Sequence, residues 1–267
     1  MPAIDLAPNS PYGLRLNSPV MTAAGCFGYG VEYARGVPLN RIGAVVTRSV
    51  TLHGRRPKQP PRLVETPAGL LCVGVWRDPG LERVLDRHLD TWMSWKTPVV
   101  LSVAGDYAEV AVALETVDGI AALELRLDDP ATAAEIVAEV RGLSLLPLLA
   151  KLPPHDALVQ TAQAVAAAGA DALTILGPPR ALAVDPRTGE RLDGTLCGPA
   201  IRPLAMRAVA EVCAAVSVPV VACGGVRTSQ DARQMIALGA TAVQVGSALL
   251  SDPLAAMRVA DALEALG

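Results

Sequence analysis

The segment VPVVACGG (residues 218–225) is a short apolar run that ends in two glycines, and TAVQVGS (residues 241–247) repeats this pattern after a helical stretch at 229–238. Similar runs rich in Val, Ile, Leu and Ala recur at even intervals earlier in the chain. Near-continuous apolar runs of this length are typical of parallel strands that are covered on both faces. The predicted strands are 19–24, 43–50, 98–104, 120–125, 145–151, 171–176, 218–223 and 241–246.

Helical patterns separate these strands. Asp129 is a candidate N-cap, with Pro130 at the first helical position, and Gly169 is a candidate glycine just beyond a helix end. The predicted helices are 81–89, 106–116, 131–141, 156–168, 199–216, 229–238 and 253–266, with a short helical piece near 31–35. Eight strand–helix units predict an α/β fold, a single (β/α)8 TIM barrel that forms one domain over residues 1–267, and an open doubly wound sheet is the alternative.

The composition excludes several classes of protein. Hydrophobic residues make up 51% of the 267 residues and charged residues 18%, which excludes intrinsic disorder. A net charge of −3 and 3% aromatic residues argue against a nucleic-acid-binding protein. No apolar run approaches the roughly 20 residues that span a bilayer, and residues 1–10 do not resemble a signal peptide, so a cytoplasmic protein that avoids membranes is expected. Five scattered cysteines without a C-x-x-C pair predict reduced thiols and no metal site.

The carboxyl ends of the predicted strands carry the candidate functional segments. Two long connections, 51–80 and 177–198, leave the second and sixth strands at this end, where barrel enzymes build their sites. Gly224-Gly225 ends the seventh strand and Gly246-Ser247 ends the eighth. Loops at these two positions of a barrel often bind a phosphate through backbone N–H groups, so a phosphate site is predicted, and tight turns alone are the alternative.

Several segments in barrel order resemble one known family. They are PVMTAAGCFGYGVEY (19–33), GAVVTRSVTL (43–52), DPG (78–80), GPAIRP (198–203) and the two glycine loops. Together they resemble class 1 dihydroorotate dehydrogenases, most closely the type that works with an iron–sulfur partner subunit. The resemblance implies a barrel that holds FMN and oxidises dihydroorotate to orotate in pyrimidine biosynthesis, with a hydride passing to the flavin while a base removes the neighbouring proton.

The resemblance also implies roles for individual residues. Lys151 matches the family lysine beside the flavin, although a neighbouring carboxylate is an alternative partner for it. Arg48 replaces a family lysine, and an ion pair at the barrel rim is its alternative role. The remaining candidates for FMN binding are Ala23, Ala24 and Gly25 beside the ring, Cys197 at a family serine position, and Gly198, Gly224, Gly225, Gly246 and Ser247 at or near the phosphate.

Departures from the family pattern concentrate in the substrate pocket. After the fourth strand the family has Asn, Ser, a catalytic Cys, Pro and Asn, whereas LELRLDDP (123–130) leads directly into a helix and no cysteine is near it in the chain. Family asparagines correspond to Cys72, Asp78, Arg126 and Gly177. A site that pairs the donors and acceptors of orotate loses strongly when its partners are removed, so impaired or altered catalysis is predicted. Asp128 and Asp129 are the candidate substitute bases. Cys72 is a further candidate nucleophile or base, for which only His53, His88 and His155 could serve as a histidine partner.

Two alternatives to an impaired enzyme remain open: a non-catalytic or regulatory barrel subunit, and a flavin-free enzyme that acts on a phosphorylated substrate. The expected partners are a small anionic substrate, an iron–sulfur flavoprotein or a family-enzyme subunit, and a second copy of the chain in a homodimer.

Overall fold

The computed structural model describes residues 4–56, 62–74 and 77–265, so the remaining residues of the predicted domain lie outside the described part. In chain order the strands are β1 (Ile4–Asp5), β2 (Arg15–Leu16), β3 (Val20–Thr22), β4 (Val45–Val46), β5 (Leu63–Thr66), β6 (Gly69–Val73), β7 (Val99–Val103), β8 (Ala122–Arg126), β9 (Leu148–Leu152), β10 (Ala172–Ile175), β11 (Arg180–Val184), β12 (Arg191–Cys197), β13 (Val220–Cys223) and β14 (Ala242–Val245). The helices are α1 (Leu81–Met93), α2 (Tyr107–Leu114), α3 (Ala133–Leu143), α4 (Leu158–Ala167), α5 (Arg202–Cys213), α6 (Ser229–Ala237), α7 (Ala248–Ser251) and α8 (Ala255–Glu264), and 3-10 turns span Leu39–Arg41 and Pro199–Ile201.

Eight parallel strands form the central sheet in the order β3-β14-β13-β10-β9-β8-β7-β4. Its two end strands meet, because a parallel bridge pairs Met21 with Ala44 and the Gly43 N–H donates to the Val20 carbonyl at 2.7 Å. The sheet therefore closes into the predicted (β/α)8 barrel and is not an open doubly wound sheet.

Alternation along the strands divides the core into two layers. Leu123, Leu125 and Leu173 face outward and pack with the surrounding helices. Their neighbours Ala122 and Ala172 face the barrel axis with one apolar side chain or more from each of the other strands. The hairpin β1–β2 closes the amino-terminal end of this interior with buried Leu6, Leu14 and Leu16. The interior is thus packed at one end and leaves the other end for a site.

The two long connections fold into a small sheet that the sequence did not predict. Strands β5, β6, β11 and β12 form an antiparallel sheet in the order β11-β12-β6-β5, which we call the cap sheet. The pairing of β6 with β12 joins the connection after β4 to the connection after β10. The cap sheet therefore holds both long connections over the carboxyl end of the barrel.

Two local predictions were wrong. Residues 31–35 form turns instead of a helical piece. Helix α3 begins at Ala133, so Asp129 is not its N-cap; its Oδ1 instead accepts a hydrogen bond from the Ala131 N–H at 3.0 Å. The short helix α7 follows β14 directly and precedes α8.

Candidate functional site

A cavity of about 930 Å³ opens at the carboxyl end of the barrel, beneath the cap sheet. Its size lies within the range of about 300–1,000 Å³ that is usual for ligand pockets. The predicted cofactor-binding residues all line it: Ala23, Ala24, Gly25, Arg48, Lys151, Cys197, Gly198, Gly224, Gly225, Gly246 and Ser247. Asp128 also lines the cavity, whereas Asp129 is not among the lining residues.

The two glycine loops present free backbone donors to this cavity. Among the described residues, the N–H groups of Gly224, Gly225, Gly246 and Ser247 donate no hydrogen bond within the chain. Unpaired donors grouped at the end of two neighbouring strands suit the oxygens of a phosphate group. The phosphate site stays a prediction, and these four N–H groups are its candidate donors.

Packing explains why glycine stands in the loop after β13. Gly224 and Gly225 have φ of +127° and +73°, and a Cβ at Gly225 would lie 2.6 Å from the Cβ of Arg202 at the start of α5. A Cβ at Gly224 would lie 2.9 Å from that of Ala205. The glycines thus let α5 approach the loop, which fixes the position of the loop's N–H groups.

A buried network of polar side chains lies inside the barrel beneath the cavity. The Lys151 Nζ donates to Glu124 Oε1 at 3.3 Å and to Gln244 Oε1 at 2.8 Å. Glu124 Oε2 accepts from Thr174 Oγ1 at 3.0 Å and from Gln244 Nε2 at 2.5 Å. Glu124, Thr174 and Gln244 are fully buried. The carboxylate that was the alternative partner of Lys151 is therefore present, and Lys151 lines the cavity as well.

This network keeps Lys151 charged. Burial acts to lower the pKa of its ammonium group, but the charge of the Glu124 carboxylate and the hydrogen bond to it raise the pKa, which lies above its ordinary value. The result is a fixed cation at the floor of the cavity. Sequence reasoning overlooked Glu124, Thr174 and Gln244, although a polar residue within an otherwise apolar strand was a signal for each of them.

Arg48 lies at the other side of the cavity, over an aromatic ring. Its guanidinium carbon is 5.6 Å from the centre of the Tyr29 ring, and its backbone N–H donates to the Gly28 carbonyl at 2.7 Å. Burial raises the pKa of Tyr29 to about 12, so this phenol stays neutral. Stacking on an aromatic face is a favourable position for a guanidinium group.

Asp78 fastens the connection that follows β4. Its Oδ2 accepts hydrogen bonds from the Thr51 N–H at 2.9 Å and from Thr51 Oγ1 at 2.7 Å, and its Oδ1 accepts from the Gly80 N–H at 3.0 Å. The side chain is buried while it lines the cavity. Its carboxylate therefore serves the fold of this connection.

The end of β8 carries an ion pair. Arg126 Nε donates to Asp128 Oδ1 at 2.9 Å, and both side chains line the cavity. The Asp128 side chain is 64% exposed, so water reaches it freely. The Asp128 carboxylate is therefore engaged by the Arg126 guanidinium group.

Cysteines gather at the cavity although none follows β8. Cys26, Cys72, Cys197 and Cys223 line it. Burial raises the pKa of Cys26 to about 12 and also raises that of Cys223. The partner of Cys72 is no histidine: its Sγ lies 3.5 Å from the Sγ of Cys197.

His155 is a candidate that sequence reasoning considered only as a partner for Cys72. It follows β9 and lines the cavity, and its Nε2 is buried without a hydrogen-bond partner among the described residues. Burial lowers the pKa of its imidazole, partly opposed by Asp156, so the ring is neutral at pH 7. A neutral imidazole with a free nitrogen can accept a proton.

No helix in the described ranges is long and apolar enough to cross a membrane.

Comparison with known proteins agrees with this geometry. The family model described as dihydroorotate dehydrogenase matches residues 8–266. A relative from Desulforudis audaxviator (strain MP104C), named dihydroorotate dehydrogenase B (NAD(+)), catalytic subunit, is 40% identical over 275 aligned positions, and the alignment covers 94% of this chain and 89% of the relative. Relatives with the same name from Trichlorobacter lovleyi and Geotalea uraniireducens are 37% and 36% identical, and each alignment covers 94% of this chain and 90% of the relative. The chain therefore belongs to the dihydroorotate dehydrogenase family.

Proposed function

We propose that this protein is an FMN-binding oxidoreductase barrel of the dihydroorotate dehydrogenase family whose ligand chamber no longer matches dihydroorotate. The observation that carries the proposal is the Arg126–Asp128 ion pair at the end of β8, where the resemblance implies a cysteine base and an asparagine.

The preserved half fits FMN, the cofactor of this family. The unpaired N–H groups of Gly224, Gly225, Gly246 and Ser247 would hold the phosphate. Gly25 has open space where a Cβ would point, which leaves room for a flat ring against the backbone. When bound, FMN would supply an acceptor for two electrons. Lys151 would stabilise negative charge on the reduced ring, because its ammonium group is fixed by Glu124 and Gln244.

The altered half has lost the groups that pair a pyrimidine. Arg126 and Asp128 bind each other, and Asp78 is engaged with Thr51 and Gly80. Cys72 offers a thiol in place of a carboxamide, which removes both a strong donor and a strong acceptor. Each loss leaves polar groups of orotate without a partner, so discrimination against dihydroorotate is expected to be large.

His155 is the cavity-lining group best suited to accept a proton in the reaction of this chain. Its Nε2 is buried and unpaired, and its lowered pKa keeps the imidazole neutral at pH 7. In contrast, Cys26 and Cys223 stay protonated because burial raises their pKa. Replacement of His155 by Gln should therefore abolish the pH dependence of flavin reduction by the true substrate without loss of bound flavin.

A partner subunit supports electron transfer away from the barrel. The relatives are named catalytic subunits of a B (NAD(+)) type, which implies a second subunit. We propose an iron–sulfur flavoprotein as this subunit, and co-purification of the two chains at a fixed ratio tests it. A homodimer of the barrel stays a prediction that size-exclusion chromatography of the same sample checks.

The deciding experiment is a visible absorption spectrum of the purified protein, followed by anaerobic addition of dihydroorotate. A yellow flavin spectrum that bleaches slowly or not at all is expected, with the D. audaxviator relative as the control that bleaches rapidly. Rapid bleaching of this protein would contradict the altered chamber. A colourless protein that sugar phosphates but not FMN stabilise against heat would favour a flavin-free enzyme. A colourless protein that captures a family enzyme would favour a regulatory subunit.

A further inference from the structure

Cys72 and Cys197 form a thiol pair in the cap sheet. Their Sγ atoms are 3.5 Å apart although 125 positions separate them in the chain. In the antiparallel pairing of β6 with β12, Cys72 is opposite Thr195 and Cys197 is opposite Leu70. The two cysteines are therefore diagonal neighbours on one face of the sheet, a position from which side chains reach each other.

The environment makes the two thiols unequal. The hydrogen bond with Cys197 lowers the pKa of the Cys72 thiol against the opposing effect of burial. The same hydrogen bond, together with burial, raises the pKa of Cys197, whose Sγ also lies 3.4 Å from the Leu70 carbonyl oxygen. The other cysteines, Cys26, Cys213 and Cys223, all have a pKa that burial raises. Since the thiolate is the nucleophile, Cys72 is the thiol that reacts first.

We propose that Cys72 and Cys197 are a redox-active dithiol that closes to a reversible disulfide when the protein meets a low-molecular-weight disulfide or a peroxide. The sulfur atoms need to approach from 3.5 Å to about 2 Å, which rotation of the two side chains on facing strands supplies. Both cysteines are half-buried and line the cavity, so a small oxidant can reach them. Oxidation of this pair requires none of the proposed flavin chemistry.

The reaction with a small disulfide RSSR balances in two steps. The Cys72 thiolate attacks one sulfur, forms a mixed disulfide Cys72–S–S–R and releases RS⁻, which takes up a proton. Cys197 loses its proton and attacks the Cys72 sulfur, which forms the Cys72–Cys197 bond and releases the second RS⁻. With a peroxide, Cys72 first becomes a sulfenic acid with loss of water or alcohol, and attack by Cys197 releases water. In each case the two thiols give up two electrons and the oxidant accepts them.

The bond would join the two long connections covalently. Cys72 belongs to the connection after β4 and Cys197 to the connection after β10, and β6–β12 is the pairing that holds them together. Because both cysteines line the cavity, oxidation would also change the surface that a ligand meets. The chemistry therefore couples the redox state of the surroundings to the shape of the chamber.

Oxidised glutathione and hydrogen peroxide, each added to the reduced full-length protein, test the proposal. The five free thiols should fall to three, since the bond joins two of the five, and peptide mapping should find Cys72 linked to Cys197. Dithiothreitol should restore all five, and the oxidised protein should melt a few °C higher than the reduced protein. Five remaining thiols, or a bond between any other two cysteines, would overturn the inference.

Variants separate the two roles. In Cys197→Ser, glutathione should remain on Cys72 as a stable adduct that forms at least about tenfold faster than at any other cysteine, because Cys72 is the activated thiol. Cys72→Ser should form neither the adduct nor the bond. The matched control Cys213→Ser removes a half-buried thiol on α5, which does not line the cavity, and should form the bond like the unchanged protein.

A trivalent arsenical gives a second readout that needs no oxidation. Phenylarsine oxide bridges two adjacent thiols, so it should bind one molecule per chain in the unchanged protein and in Cys213→Ser. Neither Cys72→Ser nor Cys197→Ser should hold it after dilution, and circular dichroism and a melting curve establish that each variant is folded. Equal retention by all four proteins would overturn the assignment of the pair.

Discussion

Breaking the Lys151–Glu124 pair should destabilise the barrel strongly, because both side chains are buried and water cannot solvate the charge that remains. The Nζ and Oε1 atoms are 3.3 Å apart, and the side chains are 7% and 0% exposed. At this distance an effective dielectric constant of about 20 gives an attraction of about 5 kcal/mol. Removal of one partner leaves a buried charge unpaired, which typically costs about 3–5 kcal/mol. We therefore expect Glu124→Leu and Lys151→Met each to lower the free energy of unfolding by about 3–5 kcal/mol.

The double variant should be much less damaging than the sum of the two single variants. With both charges replaced by apolar groups, no unpaired ion remains in the interior. Urea unfolding of the four proteins should therefore give a coupling free energy of at least about 3 kcal/mol, with a constant m-value. The exposed pair Arg207–Glu211 on α5 is the matched control, since its N–O distance is 2.9 Å but its side chains are 80% and 48% exposed. A double-mutant cycle of this exposed pair should give a coupling free energy of about 0.5 kcal/mol or less. Single variants of the buried pair that cost under about 1 kcal/mol, or costs that simply add, would refute this account.

Three further predictions concern the phosphate loop, a helix cap and two histidines. Gly225→Ala should lower the free energy of unfolding by about 2 kcal/mol and weaken FMN binding at least tenfold in a fluorescence titration, because a Cβ would contact Arg202 and φ is +73°; unchanged FMN affinity would contradict the assigned role of the loop. Thr228→Ala removes the side chain that caps α6 and should lower the free energy of unfolding by about 1 kcal/mol, measured as a lower melting temperature. Thr228→Ser keeps the hydroxyl group and should retain most of this stability. Burial lowers the pKa of His88 and His155 in the folded protein. In the unfolded chain the histidine pKa is about 6.5, so below this pH the unfolded chain binds more protons than the folded chain. The contribution of the two neutral histidines to the free energy of unfolding is therefore fully present above about pH 6.5 and decreases as the pH falls below this value. Urea midpoints that do not decrease between pH 7.5 and pH 5.5 would contradict this prediction.

The barrel could be predicted from the sequence because its strands are covered on both sides. Segment 218–223 is apolar throughout and 98–104 is apolar apart from Ser102, and the observed β13 and β7 lie within them. The cap sheet gave no such signal. In β11 the large side chains Leu182 and Val184 are exposed, while the small Ala181 and Ala183 are half-buried. Hydrophobic alternation therefore indicated no buried face, and the strand exists because β12 pairs with it.

The candidate site residues that could be predicted are those whose position depends on a single segment of the chain. The glycine loops and Lys151 stand at strand ends, so their positions follow from the barrel alone. The thiol pair depends on how β6 aligns with β12, and a shift of the pairing by one residue would turn one sulfur away. The Glu124–Gln244 contact joins β8 to β14 across the barrel interior, over 120 positions of chain. No local sequence pattern predicts the contact between the two thiols or the contact between Glu124 and Gln244.

The pairing of β6 with β12 constrains how this chamber can be redesigned. An exchange of only the connection after β10 would leave β6 as an unpaired edge, open to association with other chains. A loop graft intended to change ligand preference therefore needs both connections from the same donor. Since they lie far apart in the sequence, recombination libraries with a single crossover between them should yield mostly insoluble products, whereas two-crossover chimaeras that keep the strands matched should be recovered.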